Sequence, residues 1–296
     1  LVISGTAVAG AALASLGKPF VAWLATDLEG DRCDRVRTFP WYRRALDRSL
    51  NIHVLRAQER KVLNSAHVLA LSSHTERELD RIAGNKAVRA VLPAPVDTKV
   101  FKPDPAQTQP ARIGFSGRLD DPRKNVGLLL DAMVEIAASR PEAELHLIGH
   151  RPDTPLEAWI AARGLTSRVQ LQPYVQPEEL PGILAKLDIF VVPSHQEGLC
   201  IAALEAMACG VPVISTRCGG PEDFVQDGHN GWLVDSNASA MANAIHRVID
   251  DRDRRQQMGA AARSTIETNY SLTRAETVLN GAINQILPPQ FRSLCA

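Results

Sequence analysis

Short apolar runs alternate with longer segments in which apolar residues recur every three or four positions. The short runs predict strands buried on both faces, and the longer segments predict helices that cover those faces. Predicted strands cover residues 1–4, 20–25, 67–73, 87–97, 111–117, 143–149, 168–174, 188–194 and 211–216. Predicted helices cover residues 6–16, 41–66, 73–84, 124–138, 154–163, 177–187, 199–209 and most of 238–287. This alternation predicts an α/β fold with parallel sheets.

A proline-rich stretch, "FKPDPAQTQPA" at residues 101–111, interrupts the alternation, which then restarts. Its composition is typical of a linker, so we predict two doubly wound, Rossmann-like domains, residues 1–104 and 105–270. A final helical segment, residues 271–296, could pack back on the first domain. The first domain holds only four predicted strands, and the chain begins inside an apolar run at Leu1. We therefore expect an N-terminal domain that is incomplete.

Composition narrows the class of protein without identifying it. The 296 residues are 45% hydrophobic and 22% charged, with 33 basic and 33 acidic side chains. This balance excludes a strongly basic nucleic-acid-binding surface, and no apolar run approaches the roughly 18 residues of a spanning helix. Scattered cysteines without a CxxC pair indicate reduced thiols in a cytosolic protein. They are Cys33, Cys200, Cys209, Cys218 and Cys295.

Three stretches at predicted strand ends have unusual chemistry, which matters because open parallel sheets bind ligands outside the carboxyl ends of their strands. The first is "GFSGRLDDPRKN". Gly117 permits a tight turn, and Arg118 and Lys124 place two cations on one loop, which suits a diphosphate. The alternative is an ordinary solvated loop in which Asp120 and Asp121 neutralise those cations locally.

The second stretch joins the loop Ser194–Gly198 to a helix predicted from about Leu199 to Cys209. The start of a helix exposes free N–H groups and favours a phosphate. Glu197 lies just ahead of that start, and Glu205 lies about two turns into an otherwise apolar helix. A carboxylate in such a helix needs a partner, and sugar hydroxyls would serve. The alternative makes Glu197 a first-turn residue and Glu205 a solvated surface position.

The third stretch, "STRCGGPEDFVQDGHNGWLV", places Gly219 and Gly220 after a predicted strand, where the backbone can approach a ligand closely. Glu222 follows, and Asn230 and Gly231 predict a second turn. A plain strand–turn–helix connection explains this stretch equally well. The pattern "DRD" at residues 251–253 matches a loose metal-binding motif, but it lies in a highly charged helical run, so we expect no metal there.

The order and spacing of these stretches resemble one family, the retaining GT-B glycosyltransferases of glycosyltransferase family four. "PSHQEGLCIAALEAMACGVPVISTRCGGPEDFVQDGHNGWLV" is similar to its most diagnostic segment, with two glutamates separated by seven residues. "GRLDDPRKN" resembles its donor-phosphate loop, and "VLPAPVDTKVFKP" resembles the segment that joins its two domains. The resemblance implies a GT-B fold and a retaining, hexosyltransferase-type enzyme that needs no divalent metal or other cofactor.

The resemblance also implies roles for individual residues. It makes Glu197, Arg118 and Lys124 catalytic: the two cations bind the donor diphosphate, and Glu197 contacts the transferred sugar. Glu205 holds the ribose hydroxyls, and the strand end at Tyr174 and Val175 borders the base. The donor-binding set comprises Gly117, Arg118, Lys124, Tyr174, Val175, Glu197, Gly198, Leu199, Cys200, Ile201 and Glu205.

The sequence departs from the family in three places. Cys200 stands where the family usually has glycine. Ala25 or Thr26 stands where many members have a histidine near the reacting centre, with Asp27 and Glu29 next. The family's glycine-rich loop after its first strand is missing. We expect from this that the chain alone turns over acceptor poorly.

Alternatives remain open at this level. A nucleotide-sugar epimerase shares the two-domain architecture, and a chain that binds donor without full activity is a further reading. A dinucleotide-dependent oxidoreductase lacks support because no GxGxxG follows a predicted strand. The expected partners are a nucleotide-sugar donor and an acceptor that is a sugar, a lipid-linked sugar or a small molecule, with no nucleic acid. We expect a cytoplasmic protein, with peripheral contact at the inner face of the membrane left open because no strongly basic amphipathic helix is evident.

Overall fold

The computed structural model describes residues 3–17, 20–104, 111–150 and 155–286. The chain forms two compact units. The first unit comprises Leu1–Pro95, Glu197–Leu199 and Leu272–Ala296, and the second comprises Val96–Gln196 and Cys200–Ser271. Within the described ranges, no helix is long and apolar enough to cross a membrane.

Strands and helices alternate along both units. The strands are β1 Ile3–Ser4, β2 Val21–Leu24, β3 His67–Ala70, β4 Val88–Val91, β5 Arg112–Ser116, β6 Glu144–His150, β7 Val169–Pro173, β8 Ile189–Val192, β9 Val213–Thr216 and β10 Gly231–Val234. The helices are α1 Ala7–Ser15, α2 Leu28–Arg37, α3 Trp41–Leu46, α4 Ile52–Ser65, α5 Ser73–Ala83, α6 Val126–Ser139, α7 Leu156–Ala162, α8 Leu180–Leu184, α9 Ile201–Ala208, α10 Ala238–Ile249, α11 Arg252–Asn269 and α12 Leu272–Ile286. This order confirms the predicted α/β class.

The first unit is built on a parallel sheet with strand order β1-β2-β3-β4 among the described residues. Alternate residues along β2 and β3 enter two cores, because successive side chains of a strand point to opposite faces. On one face Ala22 and Val68 pack with Val62 of α4 and Leu79 of α5. On the other face α12 covers the sheet, and a second core forms from Val21, Leu69, Leu92, Ala275, Val278, Leu279 and Ala282.

Local signals in the sequence set the boundaries of α5. The hydroxyl of Ser72 accepts a hydrogen bond from the backbone N–H of Thr75 at 3.1 Å, and Gly84 closes the helix with φ +71°. Only glycine adopts that left-handed conformation without steric cost, so the helix ends where the sequence predicts.

The second unit has a larger parallel sheet, with strand order β10-β9-β8-β5-β6-β7 in the part of the chain that is described. The central strand β8 is apolar and buried throughout, and the three middle residues of β5 are buried, as expected for strands covered by helices on both faces. Leu129, Met133 and Ile136 of α6 and Ile245 of α10 form the main core with them.

Several elements differ from the sequence-based predictions. The helix predicted over residues 41–66 is α3 and α4 joined by a π-helical segment, Asp47–Asn51. The helix predicted over 177–187 shortens to α8, and the run over 238–287 divides into three helices, with residue 287 outside the described residues. Two elements, α2 and β10, have no counterpart among the predictions. In α2 the buried carboxylate of Asp27 stabilises the first turn by accepting from the N–H of Gly30 at 2.7 Å.

Candidate functional site

The strand order of the second unit reverses direction between the neighbouring strands β5 and β8. The chain runs from β5 to β6 and β7 on one side, then crosses to β8, β9 and β10 on the other. Because all of these strands are parallel, their carboxyl ends share one edge, and the reversal between β5 and β8 is the topological switch point at which open sheets bind ligands. The loop after β5, residues 117–125, and the loop after β8, residues 193–196, both start at this point.

Hydrogen bonds hold these two loops together. The N–H of His195 donates to the carbonyl oxygen of Arg123 at 2.8 Å, and the side-chain amide of Asn125 donates to the carbonyl oxygen of Pro193 at 3.2 Å. From the next strand, the hydroxyl of Thr216 donates to the carbonyl oxygen of Ser194 at 2.5 Å. The loops are therefore a single connected structure at the carboxyl edge of the sheet.

Arg118 is anchored by a buried carboxylate. Its guanidinium pairs with Asp121 at 2.8 Å, and Arg123 pairs with the same carboxylate at 2.8 Å. Burial alone would raise the pKa of Asp121, but hydrogen bonds from Arg123 and the charges of Arg123 and Arg118 hold that pKa below its ordinary value. Two guanidinium groups share one carboxylate, and the side chain of Arg118 stays 59% exposed. The pairing orients Arg118 without consuming its capacity to bind an anion.

Gly117 and Lys124 lie close together in the loop after β5. A Cβ atom on Gly117 would lie 3.9 Å from Cε of Lys124, which ends a short 3₁₀ turn, Pro122–Lys124. A Cβ on Gly149, at the end of β6, would lie 2.3 Å from the carbonyl oxygen of Gly117. The close backbone approach thus requires glycine at position 149, a requirement that the sequence analysis missed because "LIGH" has no motif around it.

Cys200 has a backbone conformation that favours glycine. Its φ is +70° and its ψ is +71°, in the left-handed region, and α9 begins only at the next residue, Ile201. The helix therefore starts two residues later than predicted, because a left-handed residue cannot belong to a right-handed helix. The same conformation gives a physical reason for the glycine that the family usually has at this position.

Glu205 lies about one turn into α9, not two as predicted, because the helix starts late. Its neighbours Leu204, Ala206 and Met207 are fully buried. Burial raises the pKa of Glu205 to about 7. Among the described residues, none donates a hydrogen bond to its carboxylate. A largely buried acid that lacks such a partner can accept hydrogen bonds from a ligand.

The three residues Glu197–Leu199 belong to the first unit, and their side chains are buried where they have one. A Cβ atom on Gly198 would lie 1.9 Å from the carbonyl oxygen of Ala25, which follows β2. That carbonyl oxygen is itself fixed, since it accepts a hydrogen bond from the hydroxyl of Thr75 at 2.9 Å. Position 198 therefore tolerates only glycine.

The remaining predicted positions have different surroundings. Tyr174 and Val175 follow β7, the edge strand of the second sheet, and Tyr174 is exposed at the same carboxyl edge as the other loops. Glu222 accepts a hydrogen bond from the N–H of Gly219 at 3.0 Å and so caps the short turn that follows β9. Asn230 is buried, and its amide donates to Phe224 and Thr265. In the third stretch, Glu222 and Asn230 thus make structural contacts.

The acidic pattern at residues 251–253 also has a local role. The carboxylate of Asp251 accepts from the N–H of Arg254 at 2.9 Å and caps the start of α11. Among the described residues, no three His, Cys, Asp or Glu side chains gather in a group suited to a metal ion.

The chain is similar in sequence to known proteins. Residues 96–265 match the family described as "Glycosyl transferases group 1". A D-inositol 3-phosphate glycosyltransferase from Arthrobacter sp. (strain FB24) is 32% identical over 67% of this chain and 48% of the relative. A GDP-mannose-dependent alpha-(1-6)-phosphatidylinositol monomannoside mannosyltransferase from Mycolicibacterium smegmatis is 32% identical over 73% of this chain and 62% of the relative. The chain thus spans about half to three fifths of these relatives.

Solved structures share the fold. A sucrose-phosphate synthase from Thermosynechococcus elongatus superposes with a TM-score of 0.81 at 23% identity, over 96% of this chain and 72% of that one. HepE from Anabaena, solved in complex with UDP, superposes with a TM-score of 0.78 at 20% identity, over 96% of this chain and 78% of that one. These likenesses confirm the GT-B fold class that the sequence predicts.

Proposed function

Because this chain belongs to the group 1 glycosyl transferases, we propose that it transfers a sugar from a nucleotide-diphosphate sugar to an acceptor with retention of anomeric configuration. One observation supports the proposal above the others. The loop with Arg118 and Lys124 and the loop that leads into α9 leave neighbouring strands at the switch point and are hydrogen-bonded to each other. That edge is where a parallel sheet binds a nucleotide.

The donor diphosphate binds to the cations of the first loop. Arg118, oriented by Asp121, offers a planar guanidinium to phosphate oxygens, and Lys124 offers a compact ammonium. As the bond to the sugar breaks, negative charge develops on the departing nucleotide, and fixed cations stabilise that charge without reorganisation. This chemistry needs no divalent metal, so the proposed transfer is metal-independent.

The nucleoside binds to the carboxylate of Glu205. Ribose hydroxyls donate to it, which would satisfy a group whose ionised form burial disfavours. The base lies near Tyr174 and Val175. HepE, whose fold this chain shares, was solved with UDP, and the Mycolicibacterium smegmatis relative is named for GDP-mannose. The donor-binding test therefore includes nucleotide sugars with uracil and with guanine.

The transferred sugar contacts Glu197, and the backbone from Gly198 to Ile201 contacts the phosphates. Glycine at 198 suits this role because it lets the chain pass against a fixed carbonyl group without a side chain in the way. The acceptor is a sugar, a lipid-linked sugar or a small molecule.

The proposal is tested first by donor binding. A thermal-shift screen of UDP-, GDP- and ADP-sugars should find one ligand that raises the melting temperature, since a ligand that binds the fold stabilises it. Lys124→Ala or Glu205→Ala should then reduce the affinity for that ligand more than tenfold, which corresponds to roughly 1.4 kcal/mol of binding free energy. Isothermal titration calorimetry measures this affinity. Lys186→Ala is the matched control, because Lys186 is exposed in the connection that leads into β8, away from the carboxyl edge. Unchanged affinity in both site variants would refute the assignment.

The transfer itself is tested with that donor and a panel of acceptors. The anomeric configuration of the product, read by NMR, should match that of the donor. An inverted product would contradict retention. Activity that vanished on chelation and returned with manganese would contradict metal independence.

A further inference from the structure

Arg123 lies in the same loop as Arg118 but has a different environment. The side chain of Arg123 is 11% exposed, whereas that of Arg118 is 59% exposed. The backbone of Arg123 is fixed to the loop after β8, because its carbonyl oxygen accepts a hydrogen bond from the N–H of His195 at 2.8 Å. The guanidinium of Arg118 is therefore open to a ligand, and that of Arg123 is enclosed by the protein.

Asp121 receives most of its hydrogen bonds from Arg123. The backbone N–H and Nε of Arg123 donate to Oδ1 of Asp121 at 3.1 and 3.2 Å, and its Nη2 donates to Oδ2 at 2.8 Å. Arg118 donates through its Nη2 to the same Oδ2, also at 2.8 Å. Because a guanidinium has several N–H groups, this contact orients Arg118 and leaves other donors for a ligand.

The charge of Asp121 is compensated chiefly by Arg123. Burial alone would raise the pKa of Asp121, but the hydrogen bonds and the charge of Arg123 lower it, and the charge of Arg118 adds a smaller effect. Without Arg123, the carboxylate would pair with Arg118 one to one. A phosphate group would then compete with a buried carboxylate for the same guanidinium, and its affinity would fall.

We propose that Arg123 is a positioning residue for donor binding, which compensates the charge of Asp121 and so keeps Arg118 available to the donor diphosphate. The inference rests on the proposed sugar transfer, in which Arg118 binds that diphosphate. It adds a residue that acts through Arg118 and contacts neither the nucleotide nor the sugar.

A purely structural role explains the arrangement less well. One guanidinium is enough to neutralise one carboxylate, and Arg123 already does so through its backbone and side chain. With Arg118 added, two positive charges face one negative charge, so the three side chains together keep a net positive charge. That excess lies at the carboxyl edge of the sheet on the more exposed arginine, where an anionic ligand can use it.

The test compares nucleotide affinity among variants that change the balance of charge. The probe is whichever of UDP, GDP and ADP binds the parent, and calorimetry measures Kd. Arg123→Met should weaken binding about tenfold, because Asp121 then pairs with Arg118 alone. Adding Asp121→Asn to that variant should restore most of the lost affinity, because the asparagine oxygen can still orient Arg118 and no carboxylate competes with the phosphate. Asp121→Asn alone should bind at least as tightly as the parent, which tests the same competition if Arg123→Met fails to fold.

Arg255→Met is the matched control. Arg255 is also largely buried, and it pairs with the buried carboxylate of Asp188 at 3.2 Å. Asp188 precedes β8, at the amino end of the sheet, far from the proposed phosphate loop. Loss of this pair should lower the stability of the fold and leave the affinity for the nucleotide unchanged.

Salt dependence gives a second readout, which damage to the fold alone would not change. Added salt screens the attraction between cations and phosphates. Nucleotide binding by Arg123→Met should therefore depend less on salt than binding by the parent, and the double variant with Asp121→Asn should recover the dependence of the parent.

Specific results would overturn the proposal. If Lys124→Ala weakened nucleotide binding but Arg123→Met did not, Arg123 would have no positioning role and the proposed function would stand. If the double variant bound as weakly as Arg123→Met, if Asp121→Asn alone weakened binding, or if Arg255→Met lost as much affinity, the effect would come from damage to the fold. If UDP, GDP and ADP all failed to bind the parent, the donor site itself would be wrong and this inference would fail with it.

Discussion

The backbone N–H of His195 donates to the carbonyl oxygen of Arg123 across 2.8 Å, joining the loop after β8 to the loop after β5. Asn125 adds a second link through its side-chain amide to Pro193. The two loops come from segments about seventy residues apart in the chain, so this junction exists only in the folded sheet. It makes the geometry of Arg118 and Lys124 dependent on the loop that leads to Glu197.

Asn125 provides the first prediction. Its φ is +48°, a conformation that asparagine adopts at a lower cost than alanine, and its amide makes the link to Pro193. Asn125→Ala should lose about 2–3 kcal/mol of stability, from backbone strain and the lost hydrogen bond. Asn125→Gly keeps the conformation and should lose only about 1 kcal/mol, while both variants bind donor more weakly. Urea denaturation and calorimetry measure these effects. Equal stability of the two variants would show that strain at this position is unimportant.

Cys200 provides the second prediction. A left-handed conformation costs a residue with a Cβ atom roughly 1–2 kcal/mol. Cys200→Gly should remove that strain and raise the melting temperature by a few degrees, roughly 2–4 °C per kcal/mol for a domain of this size. Cys200→Ala retains the strain and is the matched control for loss of the thiol. If Cys200→Ala raised the melting temperature as much as Cys200→Gly, the gain would not come from relief of backbone strain, and the prediction would be wrong.

Glu205 provides the third prediction, on pH dependence. Its pKa rises from 4.5 in the unfolded chain to about 7 in the folded one, so the folded state favours the protonated form. Its contribution to stability is therefore fully present below pH 4.5 and is lost as the pH rises to 7. Glu205→Gln cannot ionise and should gain stability relative to the parent between pH 5 and pH 8, by roughly 3 kcal/mol at most. Denaturant unfolding of the parent and of Glu205→Gln at pH 5 and at pH 8 gives the difference in their free energies of unfolding. If that difference were the same at both pH values, it would contradict the raised pKa.

Donor binding should change the protonation of Glu205, which is the fourth prediction. Hydrogen bonds from ribose hydroxyls favour the ionised carboxylate and lower its pKa. Binding of the nucleotide near pH 6.5 should then release a proton, visible as a binding enthalpy that depends on the ionisation enthalpy of the buffer. Glu205→Gln should show a weaker dependence. If both proteins released the same number of protons, another group would be responsible.

Arg263 of α11 provides the fifth prediction, which concerns stability alone. Its guanidinium donates to the carbonyl oxygens of Thr98, Phe101 and Ala208, which fixes the segment that begins the second unit. Arg263→Met should cost about 2–4 kcal/mol, because three carbonyl groups lose a charged donor. Arg252→Met, at an exposed position of the same helix, is the control and should cost little. Chemical denaturation compares the two, and similar losses would contradict a specific role for Arg263.

Much of the fold could be predicted from the sequence, because local interactions determine where strands and helices begin and end. A strand buried on both faces must be apolar throughout, so runs such as "IFVV" and "VIST" predicted β8 and β9 without ambiguity. Gly84, a typical helix stop, predicted the end of α5 for an equally local reason. The stretches around Arg118 and Glu197 could be assigned to strand ends because cations, carboxylates and glycines are unusual next to such apolar runs.

Other features depend on contacts between distant parts of the chain, so local sequence patterns could not predict them. Strand order is a long-range property, and only the folded sheet placed β5 beside β8 and so brought the two loops together. Cys200 was visible as an exception to a family pattern. Its left-handed backbone, which delays the start of α9 and leaves Glu205 about one turn into the helix, was evident only in the folded structure. The exposure of apolar side chains on α3 and the π-helical segment was not predicted, because an amphipathic helix normally buries its apolar side. Here packing buries Asp47 and Glu59 and leaves Trp41, Leu46 and Leu50 exposed, a choice that depends on what the rest of the fold covers.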